Sequence, residues 1–361
     1  MSSEFGKHIK CTVFGQSHSE AIGIVIDGLP VGETVDESRI AEFMARRAPG
    51  KTPWSTPRRE TDTPRILSGV FNGKTCGAPL TAIIENTNTR SKDYEKTKDV
   101  PRPSHADYPA RLRYEGFEDY RGGGHFSGRL TAPFCFAGAI CKDILARKGV
   151  YIGSHIAAIG GIQDKPFDPV HVTKEDLDFP AKMEFPVNSS NIGDTMIAKI
   201  MLAKEQQDSV GGVIEGCAIG MPPGIGDPMF DGLENALAKA VFGIPAVRGV
   251  EFGMGFEAAT KLGSQHNDAY YYDGEILKTK TNHHGGIIGG ISTGMPIIMR
   301  VAIKPTPSIG QTQQSVNLND KTQQELAIEG RHDPCIVPRA VPVVEAVMAV
   351  TLLDYLMEGK K

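Results

Sequence analysis

The arrangement of strand-forming segments constrains this chain more than any other feature. Runs at 11–14, 23–26, 65–71, 80–85, 212–219, 249–252 and 296–304 combine apolar and β-branched residues in short stretches. Helical periodicity is found in few places, and the two kinds of segment do not alternate regularly. A doubly wound parallel sheet needs that alternation, because each strand reaches its parallel neighbour through a crossover helix. The sequence therefore predicts an α+β sandwich. Asp36 can cap a helix that carries Ile40, Phe43 and Met44 on one face. That helix ends at Arg46 and Arg47, ahead of Pro49 and Gly50, where cations suit the helix dipole. Residues 131–148 read as a helix of small, closely packing residues, and 197–208 and 230–242 as amphipathic ones. Val341, Val344, Met348, Leu352 and Tyr355 predict a C-terminal helix with one apolar stripe.

Glycine (41) and proline (24) make up about 18% of the 361 residues, against a usual ~12%. They follow no collagen-like period, so turns and close backbone approaches account for them. Segments 48–63 and 86–124 show no clear pattern, and long polar loops in a compact protein often carry function. A net charge of −4 argues against bulk nucleic-acid binding, so no nucleic-acid partner is expected. No apolar run approaches the ~18 residues of a membrane span, and residues 1–7 lack the apolar core of a secretory signal. No membrane partner and a cytoplasmic location are the resulting expectations. The six cysteines form no C-x-x-C pair and read as buried free thiols; with no H-E-x-x-H either, no metal is expected.

Familiar nucleotide motifs fail. Gly69 and Gly73 have three residues between them where a P-loop has four, and neither Gly122-Gly123-Gly124 nor the glycines of 285–290 fit G-x-G-x-x-G. Glycine clusters still let backbone N–H groups approach a flat ring or a phosphate. His18, His105 and His332 lie in polar loop contexts. Taken singly, each also reads as an ordinary solvated residue, but histidine is the side chain best suited to moving protons near neutral pH. Arg46, Arg47, Arg58, Arg59, Arg102, Arg121, Arg129, Arg331 and Arg339 fall in the same glycine- and proline-rich loops. Guanidinium forks suit carboxylate and phosphate. Together these residues point to an enzyme acting on a small, multiply anionic metabolite.

The longer motifs resemble one family. Phe14-Gly-Gln-Ser-His18, Arg46-Arg47-Ala-Pro-Gly50, Arg102-Pro-Ser-His-Ala-Asp-Tyr108, Asp119-Tyr-Arg-Gly-Gly-Gly124, Lys304-Pro-Thr-Pro-Ser308 and Gly330-Arg-His-Asp-Pro-Cys335 are similar, in order, to the signatures of chorismate synthases. The likeness runs from residue 11 to about 357, which implies a single domain over 1–361. It implies a β-α-β sandwich with helices packed between antiparallel sheets, and a homotetramer. The implied reaction is the anti-1,4-elimination of phosphate from 5-enolpyruvylshikimate 3-phosphate to chorismate, the last step of the shikimate pathway to the aromatic amino acids. Reduced FMN is required without net redox change.

By the family pattern, His18 serves as acid to the departing phosphate, His105 supports the reduced flavin, and Asp333 takes part in proton transfer. Arg47, Arg129 and Arg339 clamp substrate anions. His125, Ser127, Ala246, Gly289, Lys304, Pro305, Thr306, Pro307, Ser308 and Arg331 hold FMN. The chain departs from the pattern at Gln16, His125, Phe126, Pro245 and Pro53. Pro53 stands where the family has an arginine contacting NADP. The expectation is therefore that NADPH acts only indirectly and that a separate flavin reductase supplies reduced FMN.

Overall fold

The computed structural model describes residues 3–50, 52–56, 60, 62–87, 98–328 and 333–358. Two five-stranded antiparallel sheets face each other across a layer of helices. The first runs in the order Glu4–Phe5, Lys10–Gly15, Ala21–Asp27, Leu80–Glu85, Arg65–Ser68. Its middle strands alternate as a half-buried sheet should, with Cys11, Val13, Ile22, Ile24, Ile26, Leu80, Ala82 and Ile84 turned inward. The second runs Val247–Phe252, Ile297–Ile303, Gly212–Ile219, Tyr151–Ile159, Ile162–Gln163. This is the expected α+β sandwich.

Helices Glu37–Arg47, Thr131–Arg147, Leu233–Phe242 and Val337–Glu358 fill the space between the sheets. Asp36 caps the first as expected, accepting from the amides of Ser38 at 3.0 Å and Arg39 at 3.2 Å. The central helix, Thr131–Arg147, packs on the first sheet and on the C-terminal helix; the C-terminal helix packs in turn on Tyr151–Ile159 and Gly212–Ile219. Being covered from both sides, the C-terminal helix buries nearly its whole circumference rather than the single stripe its sequence predicts. It is the only helix among the described residues long and apolar enough to cross a membrane, and it lies inside the core.

The two central helices approach closely at small residues. A Cβ on Gly138 would sit 2.2 Å from the Cβ of Ala346. Gly138→Ala should therefore lower stability by about 1–3 kcal/mol, although alanine is the better helix former. Urea unfolding checks this; an unchanged or raised midpoint would show that the two backbones can separate freely.

Several elements differ from expectation. The 65–71 segment divides at Gly69, where φ is +86°, into Arg65–Ser68 and Val70–Phe71. The helix expected over 197–208 instead spans Ser190–Glu205, starting earlier and ending before Gln206. Helix Asp107–Arg113 lies within the patternless stretch 86–124. Strand Tyr151–Ile159 is absent from the sequence reading because Gly153, Ser154 and His155 interrupt its apolar run. Those polar groups are buried because partners meet them: Ser154 donates to the Val341 carbonyl at 2.9 Å, and His155 lies between Asp164 and Glu215 at 3.2 Å from each. All six cysteines are free, but Cys76 is exposed where burial was expected. Burial pushes the Cys135 and Cys335 thiols up to about 12, so neither is a thiolate near neutral pH.

Candidate active site

Element ends converge on a cavity of about 590 Å³. Arg47 ends the Glu37–Arg47 helix, Arg129 lies in the short helical turn Gly128–Leu130 that leads into the central helix, and Arg339 sits in the first turn of the C-terminal helix. Ala246 precedes strand Val247–Phe252, and Lys304, Thr306, Pro307 and Ser308 follow strand Ile297–Ile303. His105, His125, Ser127 and Asp333 complete the walls. A larger cleft of about 1020 Å³ adjoins this cavity and shares Arg102, His105, His125, Phe126 and Pro245 with it. Cations at the C-terminal end of one helix and polar loops at the open ends of strands are free of ladder hydrogen bonding, so they can face a ligand.

The glycine run 122–124 organises the two candidate histidines. All three residues have positive φ, at +59°, +82° and +53°. The Gly124 carbonyl accepts from the Ser17 amide at 3.0 Å, which ties the run to the His18 turn. A Cβ on Gly122 would meet the His18 ring at 2.7 Å, and one on Gly123 the His105 ring at 3.2 Å. The bare backbone thus lies against both imidazoles, as only glycine permits. His18 is buried. His105 Nδ1 lies 2.6 Å from Asp107 Oδ1, and Arg102 holds the same carboxylate at 2.7 Å through both Nε and Nη2. Burial opposes ionisation of Asp107, but hydrogen bonds from Arg102 and His105 outweigh it and keep the carboxyl well below its usual range. An ionised Asp107 assigns a proton to Nδ1 of His105, and Nε2 faces Gly123.

The three arginines are brought together as the sequence predicts, but they are not bare cations. Asp62 bridges two of them: Oδ2 meets Arg47 Nη1 at 2.5 Å, and Oδ1 takes Arg129 Nη1. Glu60 pairs with Arg129 at 3.2 Å, and Asp333 with Arg339 at 2.5 Å. Asp333 also accepts from the Thr56 amide at 2.7 Å, and Arg339 Nε donates to the Arg47 carbonyl at 3.1 Å. Carboxylates Asp62 and Glu60, and the Arg102–Asp107 pair, are missing from the sequence-based site. The signal for Asp62 and Glu60 was the patternless stretch 48–63, whose acids lie beside its arginines, and that for Arg102 and Asp107 the patternless stretch 86–124.

Lys304 and Arg248 also line the cavity. Burial, then the nearby Arg248 charge, lowers the Lys304 pKa. Neither Lys304 nor Arg248 has an acid within ion-pair distance among the described residues. Ala246 takes the left-handed φ of +74°, rare for a residue with a Cβ, and its carbonyl accepts from the Lys304 amide at 3.0 Å. Thr306 Oγ1 donates to the Asp333 carbonyl at 2.8 Å, and Arg102 donates to Ser308 Oγ at 3.2 Å. Ser127 Oγ accepts from the Arg129 amide at 3.3 Å. The His125 ring is held between the Gly15 carbonyl at 2.7 Å and Ser3 Oγ at 2.8 Å. Gly289, on the Ile287–Ile288 and Ile291–Ser292 hairpin, lines neither cavity, and Pro305 is not among the lining residues. Arg331 and His332 lie outside the described residues.

Known proteins agree with this architecture. A family model described as chorismate synthase matches residues 9–357. The chorismate synthase of Pyrococcus abyssi is 47% identical over 354 residues, covering 98% of this chain and 97% of that protein. That of Methanococcoides burtonii is 46% identical over 360 residues, with coverages of 98% and 96%. A crystal structure of a chorismate synthase superposes with a TM-score of 0.77 at 28% identity, covering 98% of this chain and 93% of that one. With the helix-filled sandwich and the histidine–arginine cavity in place, these matches show that the chain belongs to the chorismate synthase family of lyases.

Proposed function

We propose that this cavity catalyses the anti-1,4-elimination of phosphate from 5-enolpyruvylshikimate 3-phosphate, giving chorismate with reduced FMN as cofactor. The carrying observation is one glycine run that meets two imidazoles: His105 and Gly122 line the cavity with three guanidiniums, and His18, which lines neither cavity, is packed against Gly122. A substrate with two carboxylates and a phosphate needs such cations, and a departing phosphate needs a proton.

The residues present suit FMN. Lys304 and Arg248, without acid partners among the described residues, suit its phosphate, and Thr306 and Ser308 add hydroxyls. The left-handed Ala246 and the glycine run provide backbone flat enough for a ring to approach. When bound, reduced FMN supplies electron density that assists departure of the phosphate, and it is not consumed. His18 donates the proton to the leaving oxygen. His105, with Nδ1 fixed by Asp107, holds a proton at Nε2. The Asp333 carboxylate, fixed by Arg339 and the Thr56 amide, relays onward the proton that the substrate ring gives up. Arg47, Arg129 and Arg339 orient the substrate anions.

Reduction of the flavin is assigned to a separate reductase, since Pro53 offers neither charge nor donor; its carbonyl accepts from Lys204 at 2.6 Å. A homotetramer is assigned as the working assembly, supported by exposed apolar side chains such as Phe230, Phe256, Tyr272 and Ile276.

Anaerobic turnover tests the whole reading. With substrate and prereduced FMN, chorismate should form over many turnovers per flavin; stoichiometric flavin oxidation would refute the redox-neutral reaction. With FMN and NADPH but no reductase, turnover should not be sustained. Sustained formation at the prereduced rate would overturn the need for a separate enzyme.

A further inference from the structure

We propose that Asp62 is a positioning residue that holds Arg47 and Arg129 together as one substrate-gripping pair. This rests on the reading that these arginines contact the substrate's anions. Asp62 is 1% exposed and does not line the cavity, whereas Arg47, Arg129 and Glu60 do. It therefore acts from behind the guanidiniums. Its two oxygens grip different arginines, so one carboxylate fixes their separation.

Further contacts lock each orientation. Arg47 Nε donates to Thr131 Oγ1 at 3.2 Å and Nη2 to the Gly128 carbonyl at 2.9 Å. Arg129 Nε donates to Asn86 Oδ1 at 3.0 Å. A guanidinium has five N–H donors, and for Arg47 these contacts, with Asp62, use three. The remaining donors are what the pair can present to a ligand.

Electrostatics make the carboxylate necessary. Two guanidiniums sharing one small region repel each other, and Arg339 adds a third cation, bonded to the Arg47 carbonyl. Burial and the Arg47 charge both work against protonated Arg129, while Asp62 favours it. Asp62 itself stays ionised: burial opposes its charge, but Arg47 and Arg129 prevail and lower its pKa. Remove the negative charge, and the two arginines lose the tie between them and keep only Glu60, at the cavity wall, to offset their charge.

The alternative is that Asp62 is a stand-in for the substrate, occupying the arginines until a substrate anion displaces it. The two roles predict opposite effects of neutralisation. Position 62 has a left-handed φ of +50°, which asparagine and glycine tolerate better than other residues. Asp62→Asn therefore removes the charge while keeping the shape and backbone.

The test is steady-state kinetics of Asp62→Asn under anaerobic conditions with prereduced FMN, alongside flavin binding followed by fluorescence. A positioning role raises KM for the phosphorylated substrate at least about tenfold, with kcat within a few-fold and flavin affinity unchanged, because uniform binding is what is lost. In Asp62→Gly, added formate should restore part of the lost KM, and equal chloride should not. An unchanged or lowered KM in Asp62→Asn overturns the proposal in favour of displacement. Parallel loss of kcat, substrate binding and flavin binding, with no formate rescue in Asp62→Gly, overturns it in favour of a purely structural role. Wild-type turnover is measured first, so a wild type inactive on this substrate counts against the proposed function, while an active wild type with an unaffected variant counts against Asp62 alone.

Discussion

Replacing His18 by alanine is expected to lower kcat by about 10²–10⁴-fold, the usual worth of a positioned proton donor. KM for the substrate should stay within a few-fold, because the lost interaction is made chiefly in the transition state. The site explains why such a deletion is clean. His18 follows strand Lys10–Gly15, and its turn is held independently by the Ser17 amide bonded to the Gly124 carbonyl at 3.0 Å. Removing the ring leaves that backbone tie and the arginine–carboxylate pairs untouched, so substrate should still dock. Anaerobic assays with prereduced FMN read both constants. A kcat within a few-fold of wild type would remove His18 from the role of acid.

The largest stability effect is expected at Glu345. This carboxylate lies in the middle of the C-terminal helix and is 0% exposed. Arg46 meets it at 2.5 and 3.0 Å, Ser154 Oγ donates to it at 3.0 Å, and Lys142 completes the cluster. The cluster joins the Glu37–Arg47 helix, the central helix, the C-terminal helix and strand Tyr151–Ile159. Burial opposes the Glu345 charge, but Arg46 and Lys142 more than offset it, and the carboxyl is held at about 2, below the ordinary 4.5. Glu345→Leu would strand two cations that have little access to water. Because those cations keep some exposure, the loss should fall at the low end of the range for broken buried pairs, about 3 kcal/mol.

The pH dependence follows with a definite sign. A carboxyl whose pKa is depressed by folding stabilises the protein above its unfolded value, near 4.5, and loses that contribution as pH falls through about 2. The shift corresponds to about 3 kcal/mol, in line with the mutational figure. Urea unfolding at pH 7 and near pH 2 should show wild type approaching the Glu345→Leu variant as acid is added. An equal gap between the two proteins at both pH values would contradict the assignment.

Much of the local structure is legible in the residues. Asp36 as a cap, the buried face of Ile40, Phe43 and Met44, and the close-packing helix beginning at Thr131 follow from capping chemistry and a 3.6-residue period. Absence of strand–helix alternation correctly excluded a doubly wound sheet, and the longer motifs pointed to the family. Strand Tyr151–Ile159 was not legible, because its polar centre is acceptable only next to Asp164, Glu215 and Glu345, which come from elsewhere in the chain.

The candidate site divides along the same line. Sequence alone determined which residue types were available: histidines, arginines and glycines concentrated in loops, with chemistry suited to anions and protons. Tertiary structure decided how they are paired. Asp62 meets Arg129 across 67 positions of chain, and Glu345 meets Arg46 across 299. Periodicity and propensity describe interactions over a few residues, whereas an ion pair depends on distance through space. Only the folded sandwich, by bringing helix ends and strand ends to one cavity, pairs these arginines with their carboxylates.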